Sequence, residues 1–326
     1  LYQNARDITR IYRWFMLFKN IDEGAEERIR ALLAETQYDG SEFSLLYRKG
    51  WSFYNYPLMQ VADEGDAVYI RFIPQGGFEG CKGYIYLPPL CKLSNVRAAF
   101  NALKEHIGGE ACCACVMALP QEYIDNIDLD GAFNEGSNPD YEEYLYSPED
   151  LITLSGKKYH GKRNHVTRFV NTYGGRYVFR SYEERDRQGL IDLYAKWSRG
   201  KEDGGTLMDE FRLLSLGLEM VERGEAYADV MEIDGKIVGF SLGETLPSGV
   251  AVVHVEKGEI EYDGIYPAIN QMFSKKHFQG LRYVNRQEDM GLEGLRKSKL
   301  SYRPVKMSKK YVVRIGPCGG GRYGTV

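Results

Sequence analysis

Apolar positions along this chain repeat with two periods, and the switches between them outline its elements. Ile29, Leu32 and Leu33 share one face of a helix predicted over residues 24–36. Short apolar runs at 52–55, 67–73 and 83–87 then read as strands. Helical spacing returns over 95–106 with Val96, Ala99, Phe100 and Leu103, and Gly108-Gly109 stops that helix. A continuous apolar run at 112–119 has the length of a buried strand, and a short helix starts at Gln121.

A second series begins near Tyr177. Helices are predicted over 184–197 and 208–223. Strands at 226–233 and 236–242 join through Asp234-Gly235, a pair suited to a type I′ turn because both positions take positive φ. A strand at 250–256, a helix at 266–277, a strand at 283–285, a helix at 292–300 and a strand at 306–315 complete the series. Each series runs helices, antiparallel meander, strand, helix, strand, helix. The predicted fold class is α+β, built twice. Between the series, Ser147-Pro148-Glu149-Asp150 starts a helix, with Ser as cap, Pro in the first turn and acids near the positive dipole end. The expected division is an N-terminal domain over 1–146, a linker helix plus C-terminal domain over 147–315, and a flexible Gly-rich tail over 316–326.

The 326 residues are 43% hydrophobic, enough for two cores and too many for a disordered chain. No uncharged apolar run reaches the roughly 18 residues of a membrane helix. Six cysteines lie at 81, 91, 112, 113, 115 and 318. Cys112 and Cys115 form a C-x-x-C, but their apolar flanks place them in a buried strand, where a thiol packs as a small hydrophobe. No metal site is expected, and the expected compartment is a reducing cytoplasm.

The net charge of −4 excludes a generic nucleic-acid coat, but it is unevenly spread. Residues 156–182 carry +7 and residues 294–326 carry +9, both without an acid, and the remainder carries −20. Two basic segments on an acidic body point to a local cleft for an anionic, phosphate-bearing substrate.

Three segments carry candidate chemistry. In Gly156–His165, helical spacing would put Lys158, Lys162 and His165 on one stripe, which an anionic partner would compensate. In Tyr283–Tyr302, Asp289 is a candidate helix cap, Arg296 and Lys299 are helical neighbours, and Lys299 and Arg303 bracket Ser301-Tyr302. In Val253–Gly258, strand alternation would put His254 and Glu256 on one face, a pairing that suits general acid–base work.

In this order the three segments resemble the C-terminal catalytic domain family of phosphatidylglycerol lysyltransferases, including its soluble bacterial homologues. The residues that carry the resemblance are Leu154–His165, His254–Lys257, Gly264–Phe273 and Asn285–Pro304. It implies two tandem GNAT-like domains, the fold of the acyl-CoA N-acyltransferases, and kinship with Fem-type aminoacyl transferases. The implied activity is transfer of an acyl or aminoacyl group from acyl-CoA or aminoacyl-tRNA to an amine or hydroxyl acceptor. The alternative is a catalytically inactive module of the same fold that binds tRNA, a nucleotide or an anionic metabolite. On the active reading, His254 or Glu256 is the base and Tyr302 the proton donor to the leaving group. Lys158, Lys162, Arg163, His165, Lys257, Asn285, Arg286, Asp289, Arg296 and Lys299 form the donor- and substrate-binding set. A CoA pyrophosphate would sit on backbone N–H groups of a Gly-rich loop at a helix start. Here the corresponding loop, Gly258–Gly264, carries three acids, which disfavour it.

Overall fold

The two series become two seven-stranded mixed sheets in the computed structural model of the chain, which describes residues 16–50, 59–72, 83–109, 113–201 and 204–316, with the backbone alone for 204–206. In chain order the first half gives β1 (Lys19–Asn20), α1 (Glu23–Glu35), α2 (Leu45–Gly50), β2 (Gln60–Asp63), β3 (Val68–Phe72), β4 (Ile85–Tyr86), α3 (Val96–Gly109), β5 (Ala114–Leu119), α4 (Gln121–Ile124) and β6 (Ala132–Ser137). The second half gives β7 (Glu143–Tyr146), α5 (Pro148–Thr153), α6 (His160–Tyr173), β8 (Tyr177–Ser181), α7 (Arg187–Ser198), α8 (Gly204–Glu222), β9 (Tyr227–Ile233), β10 (Lys236–Thr245), β11 (Val250–Gly258), α9 (Ile265–His277), β12 (Tyr283–Asn285), α10 (Glu293–Leu300), β13 (Lys306–Ser308) and β14 (Tyr311–Ile315). The predicted strand at 52–55 and all of the predicted tail beyond Gly316 lie outside the described residues.

One sheet has the order β1-β2-β3-β4-β5-β14-β6 and the other β8-β9-β10-β11-β12-β7-β13. The two orders correspond position by position. In each, a four-strand meander leads to a fifth strand that lies parallel to the fourth and is reached through a helix, α3 or α9. The sixth position is filled by exchange: β14, from the chain's end, enters the first sheet, and β7, from its middle, enters the second. The duplication read from element order is therefore present in the strand topology.

That exchange moves the division of the chain away from residue 146. One compact unit takes its described residues from Leu1–Tyr38, Ser52–Glu142 and Ser308–Val326, and the other from Asp39–Trp51 and Glu143–Met307. The single strand expected over 306–315 is two, β13 and β14, in different sheets. Cys91 and Cys115 are buried free thiols, as expected of core cysteines, and burial raises the Cys91 thiol to about 11. Cys113 is disulfide-bonded, unlike the core thiols expected.

The second unit is three-layered. Leu190, Leu193, Leu214 and Leu218 of α7 and α8 pack on one face of its sheet against Val230, Phe240, Leu242 and Val255. On the other face, Leu151, Tyr159, Phe273 and Tyr302 pack against Tyr146, Val253 and Val284, beside a cluster of Phe169, Met231, Ile265 and Ile269. Full burial of each such side chain stabilises by about 1.5–3 kcal/mol. Local chemistry fixes the turns: Asp234 and Gly235 adopt φ +51° and +78°, as a type I′ hairpin needs. Ser147 caps α5 through its bond from the Asp150 N–H, and α5 ends at Leu154 in the left-handed region.

Candidate functional site

The second sheet opens at its centre. β11 pairs with β12 only over Val250–Val252 against Tyr283–Asn285. Beyond Val252, β11 runs on to Gly258 while the chain after Asn285 turns away. Glu256 and Arg286 lie past the point of divergence and bridge it: the Arg286 guanidinium donates to Glu256 Oε1 at 2.9 Å. Ser241 Oγ and Asn270 Nδ2 lie at 3.4 and 3.5 Å from Glu256 Oε2.

Two further side chains complete the cluster. The Arg286 guanidinium carbon lies 4.9 Å from the Tyr302 ring centroid and 5.9 Å from that of Tyr146. Lys162 Nζ lies 4.0 Å from the Tyr302 ring centroid. Such contacts hold cations against the negative faces of the rings. Burial pulls the Lys162 ammonium down to about 8, and the Arg286 charge adds to the shift. Burial pushes the Tyr302 hydroxyl up to about 12, against the pull of Arg286. Burial acts to lower Arg286, but Glu256 and the tyrosines raise it on balance. Arg286 is paired with the carboxylate, and both cations lie against the Tyr302 ring.

The turn that presents Arg286 is tightly held. Gln287 and Met290 both adopt positive φ, +58° and +53°. Asn285 Oδ1 accepts from the Gln287 N–H at 2.8 Å. The Arg286 N–H donates to Tyr144 O at 3.0 Å, and the Tyr144 N–H to Gln287 O at 3.3 Å. Lys299 is buried and its ammonium donates to the carbonyls of Arg286 (2.6 Å), Gln287 (2.9 Å) and Glu288. Burial pulls it down to about 8.

Of the expected set, Glu256, Tyr302, Lys162 and Arg286 come together, and the others do not. His254 does not share a face with Glu256. A bulge between Leu242 and Gly243 of β10 leaves His254 without a register partner. The ring is fully buried, with Nε2 2.9 Å from Glu244 Oε1 and 3.5 Å from Ser44 Oγ, and Nδ1 3.4 Å from Gln287 Nε2. With the Nε2–H given to Glu244, Nδ1 accepts from Gln287, a tautomer assigned from these bonds. His254 thus positions the residue next to Arg286 and is not an exposed base.

The predicted stripe of Lys158, Lys162 and His165 does not form, because residues 157–159 are a 3₁₀ turn and α6 begins at His160. Lys158 pairs with Asp150 at 2.9 Å, Arg163 donates to the carbonyls of Leu154 and Gly156, and His165 bonds Arg168. Lys257 lies on the opposite face of β11, 2.7 Å from Glu210 Oε1 and 3.6 Å from the Trp197 ring centroid. Asp289 does not cap α10. Its carboxylate takes Arg296 in a two-pronged pair and accepts from the Gly291 N–H, which employs Arg296 as well. Asn285 Nδ2 is bound by Glu143 at 2.6 Å, and Lys299 by its carbonyls, so both build the turn. Sequence reading missed Tyr146, Ser241 and Asn270. Asn270 had a signal: a polar residue on the apolar face of a predicted helix.

The profile of the family described as phosphatidylglycerol lysyltransferase, C-terminal, matches residues 30–314. The chain belongs to that family. Its fold is the tandem GNAT-like α+β fold. A conserved protein of unknown function from Bacteroides thetaiotaomicron is 29% identical, with 92% of this chain and 100% of that one covered and a TM-score of 0.81. L-PGS from Bacillus licheniformis is 18% identical, with 91% and 93% covered and a TM-score of 0.61, a likeness of fold. An uncharacterised protein of Mycoplasmoides gallisepticum is 27% identical over 172 residues, 53% of this chain; the match spans 56% of that relative's length. Family and fold point to an acyltransferase or aminoacyltransferase of the GNAT-like type. Among the described residues of this family member, no helix is long and apolar enough to cross a membrane.

A pyrophosphate cradle at the start of α9 does not fit these residues. Gly264, the α9 cap, has φ +84°, and a Cβ built on it would lie 2.5 Å from the His165 carbonyl of α6. Helix α6 therefore packs directly on the backbone that a diphosphate would need. The loop's acids are also employed: Glu259 binds Lys196 and Lys236, and Asp263 binds Arg168. Gly264→Ala is expected to cost about 1–3 kcal/mol, from a strained φ and the clash with His165 O, measurable by urea denaturation.

Proposed function

We propose that this chain transfers an aminoacyl group from an ester donor of the aminoacyl-tRNA type to an amine or hydroxyl acceptor, at the cluster of Glu256, Arg286, Tyr302 and Lys162. The observation that favours an ester donor over acyl-CoA is the packing of the His165 carbonyl on Gly264, which brings α6 against the α9 start where a pyrophosphate would bind. Of the cations in the two basic segments, Lys158, Arg168, Arg176, Arg180 and Arg296 are paired with acids of the fold, and the phosphates of a nucleic-acid donor would meet cations outside such pairs.

The nucleophile attacks the ester carbonyl, and negative charge develops on the carbonyl oxygen. The Arg286 guanidinium, fixed by Glu256 and by its braced turn, offers donors to that oxygen with little reorganisation. The Glu256 carboxylate and the buried Asn270 amide offer acceptors to the ammonium of an aminoacyl group. Tyr302, whose hydroxyl stays protonated at neutral pH, supplies a proton to the leaving oxygen.

The test uses the purified chain with charged tRNA and, separately, with acetyl-CoA. Loss of aminoacyl groups from tRNA to an added amine, with no calorimetric binding of acetyl-CoA at millimolar concentration, is expected. Micromolar binding of acetyl-CoA, or acetyl transfer from it, would overturn the reading.

A further inference from the structure

Transfer to an amine or hydroxyl needs a group that takes the nucleophile's proton, and the two expected bases are otherwise employed. His254 is buried, with both ring nitrogens engaged. Glu256 has Arg286 on one oxygen, with Ser241 and Asn270 near the other. The Lys299 ammonium is spent on three carbonyls. Arg286 stays charged. Lys162 differs from all of these. It is half-buried in the first turn of α6, over the Tyr302 ring, and makes no hydrogen bond or ion pair among the described residues.

Resting on the transfer reaction proposed above, we propose that Lys162 is the base of this site, taking the proton from the attacking amine or hydroxyl through its free amine. The new bond joins the nucleophile to the acyl carbon, and the acyl carbon–oxygen bond to the donor breaks. The nucleophile's proton goes to Lys162 Nζ. Tyr302 gives its proton to the leaving oxygen, and the Lys162 ammonium returns a proton to the Tyr302 phenolate, which resets both groups.

The surroundings suit this role. Arg286 disfavours the ammonium form, and the Glu256 carboxylate is paired with Arg286. On α6 and the turn before it, Arg163 and Lys158 are tied to carbonyls and to Asp150. The Tyr146 hydroxyl donates to Lys299 O, and the Tyr159 hydroxyl is engaged by Asp150 and Tyr302 O. A Lys162 amine drawn down to about 8 is substantially neutral at the upper end of the physiological range.

Two measurements test the role. Brief labelling of the intact chain with limiting acetic anhydride between pH 6 and 11, read by peptide mass spectrometry, should show Lys162 half-reactive near pH 8. Ordinary lysines reach that point near about 10.4. Single-turnover transfer from charged tRNA should rise with pH through the same midpoint. Lys162→Met and Lys162→Arg should each lose about 100- to 10,000-fold and the pH rise with it. Failure of Lys162→Arg to rescue separates a base from a phosphate-holding cation, which Arg would replace. A labelling midpoint near that of ordinary lysines, or Lys162→Arg with the wild-type rate and pH profile, would overturn the base role alone. A wild-type chain in which Lys162 titrates low but no charged tRNA is turned over would overturn the reaction, and the base role with it.

Discussion

Arg286→Met is expected to lower aminoacyl transfer by at least about 100-fold, the scale of losing one preorganised oxyanion donor. The same change strips the little-exposed Glu256 carboxylate of its cation. A buried pair broken from one side costs about 3–5 kcal/mol, because the remaining charge is uncompensated. A loss of activity in Arg286→Met alone is therefore ambiguous between chemistry and folding. The double variant Arg286→Met with Glu256→Gln separates them. It removes both charges, leaves an amide that still bonds Ser241 and Asn270, and should recover most of the stability. Transfer should remain at the level of the single variant. Denaturation curves and single-turnover rates on the wild type, both singles and the double provide the cycle. Recovery of activity along with stability would show that Arg286 acts only on the fold.

Lys299→Met is the second large effect, and it falls on stability first. The Lys299 ammonium satisfies three successive carbonyls of the Arg286–Glu288 turn. Gln287 O keeps the Tyr144 N–H, but the carbonyls of Arg286 and Glu288 lose this donor. At about 1–3 kcal/mol for each unmet buried acceptor, partly offset by sparing a buried charge, a net loss of about 2–4 kcal/mol is expected. The pH dependence carries a sign. Burial lowers folded Lys299 to about 8, below its unfolded value, so between those values the unfolded chain binds more protons. Wild-type stability relative to Lys299→Met should rise with pH across that window. Urea denaturation at pH 7 and pH 10 reads it, and a penalty that shrinks with pH would contradict the buried position of Lys299. A looser turn also lets Arg286 wander, so transfer should fall in the folded variant.

Much of this was legible in the sequence, for local reasons. Ser147-Pro148 and Asp234-Gly235 carry their own cap and turn chemistry, and both appear as expected. Helices such as α3 and α9 show their buried faces in their spacing. Glu256, Arg286, Tyr302 and Lys162 all stand in the segments singled out at first reading, though on separate elements. What was not legible depends on long-range pairing. The four residues of β7 are all buried and show no alternation, so nothing local assigns them to the second sheet. Ser41–Gly50 joins the second unit through Ser41 on Glu143 and Ser44 beside His254, partners more than a hundred residues away. The bulge that turns His254 from Glu256 is a register shift against β10, invisible in β11 alone. Lys299 and Asp289 read as ligand groups because their true partners are backbone carbonyls and a nearby arginine, which residue type does not disclose.

The most direct test of the candidate site is a calorimetric titration with a non-hydrolysable 3′-aminoacylamido-adenosine, the end of a charged tRNA with an amide in place of its ester. The wild type should bind it one to one, with affinity falling at least about tenfold in Arg286→Met paired with Glu256→Gln, and adenosine alone should bind more weakly. Equal binding by the wild type and the double variant would contradict a donor site at the Glu256–Arg286 bridge.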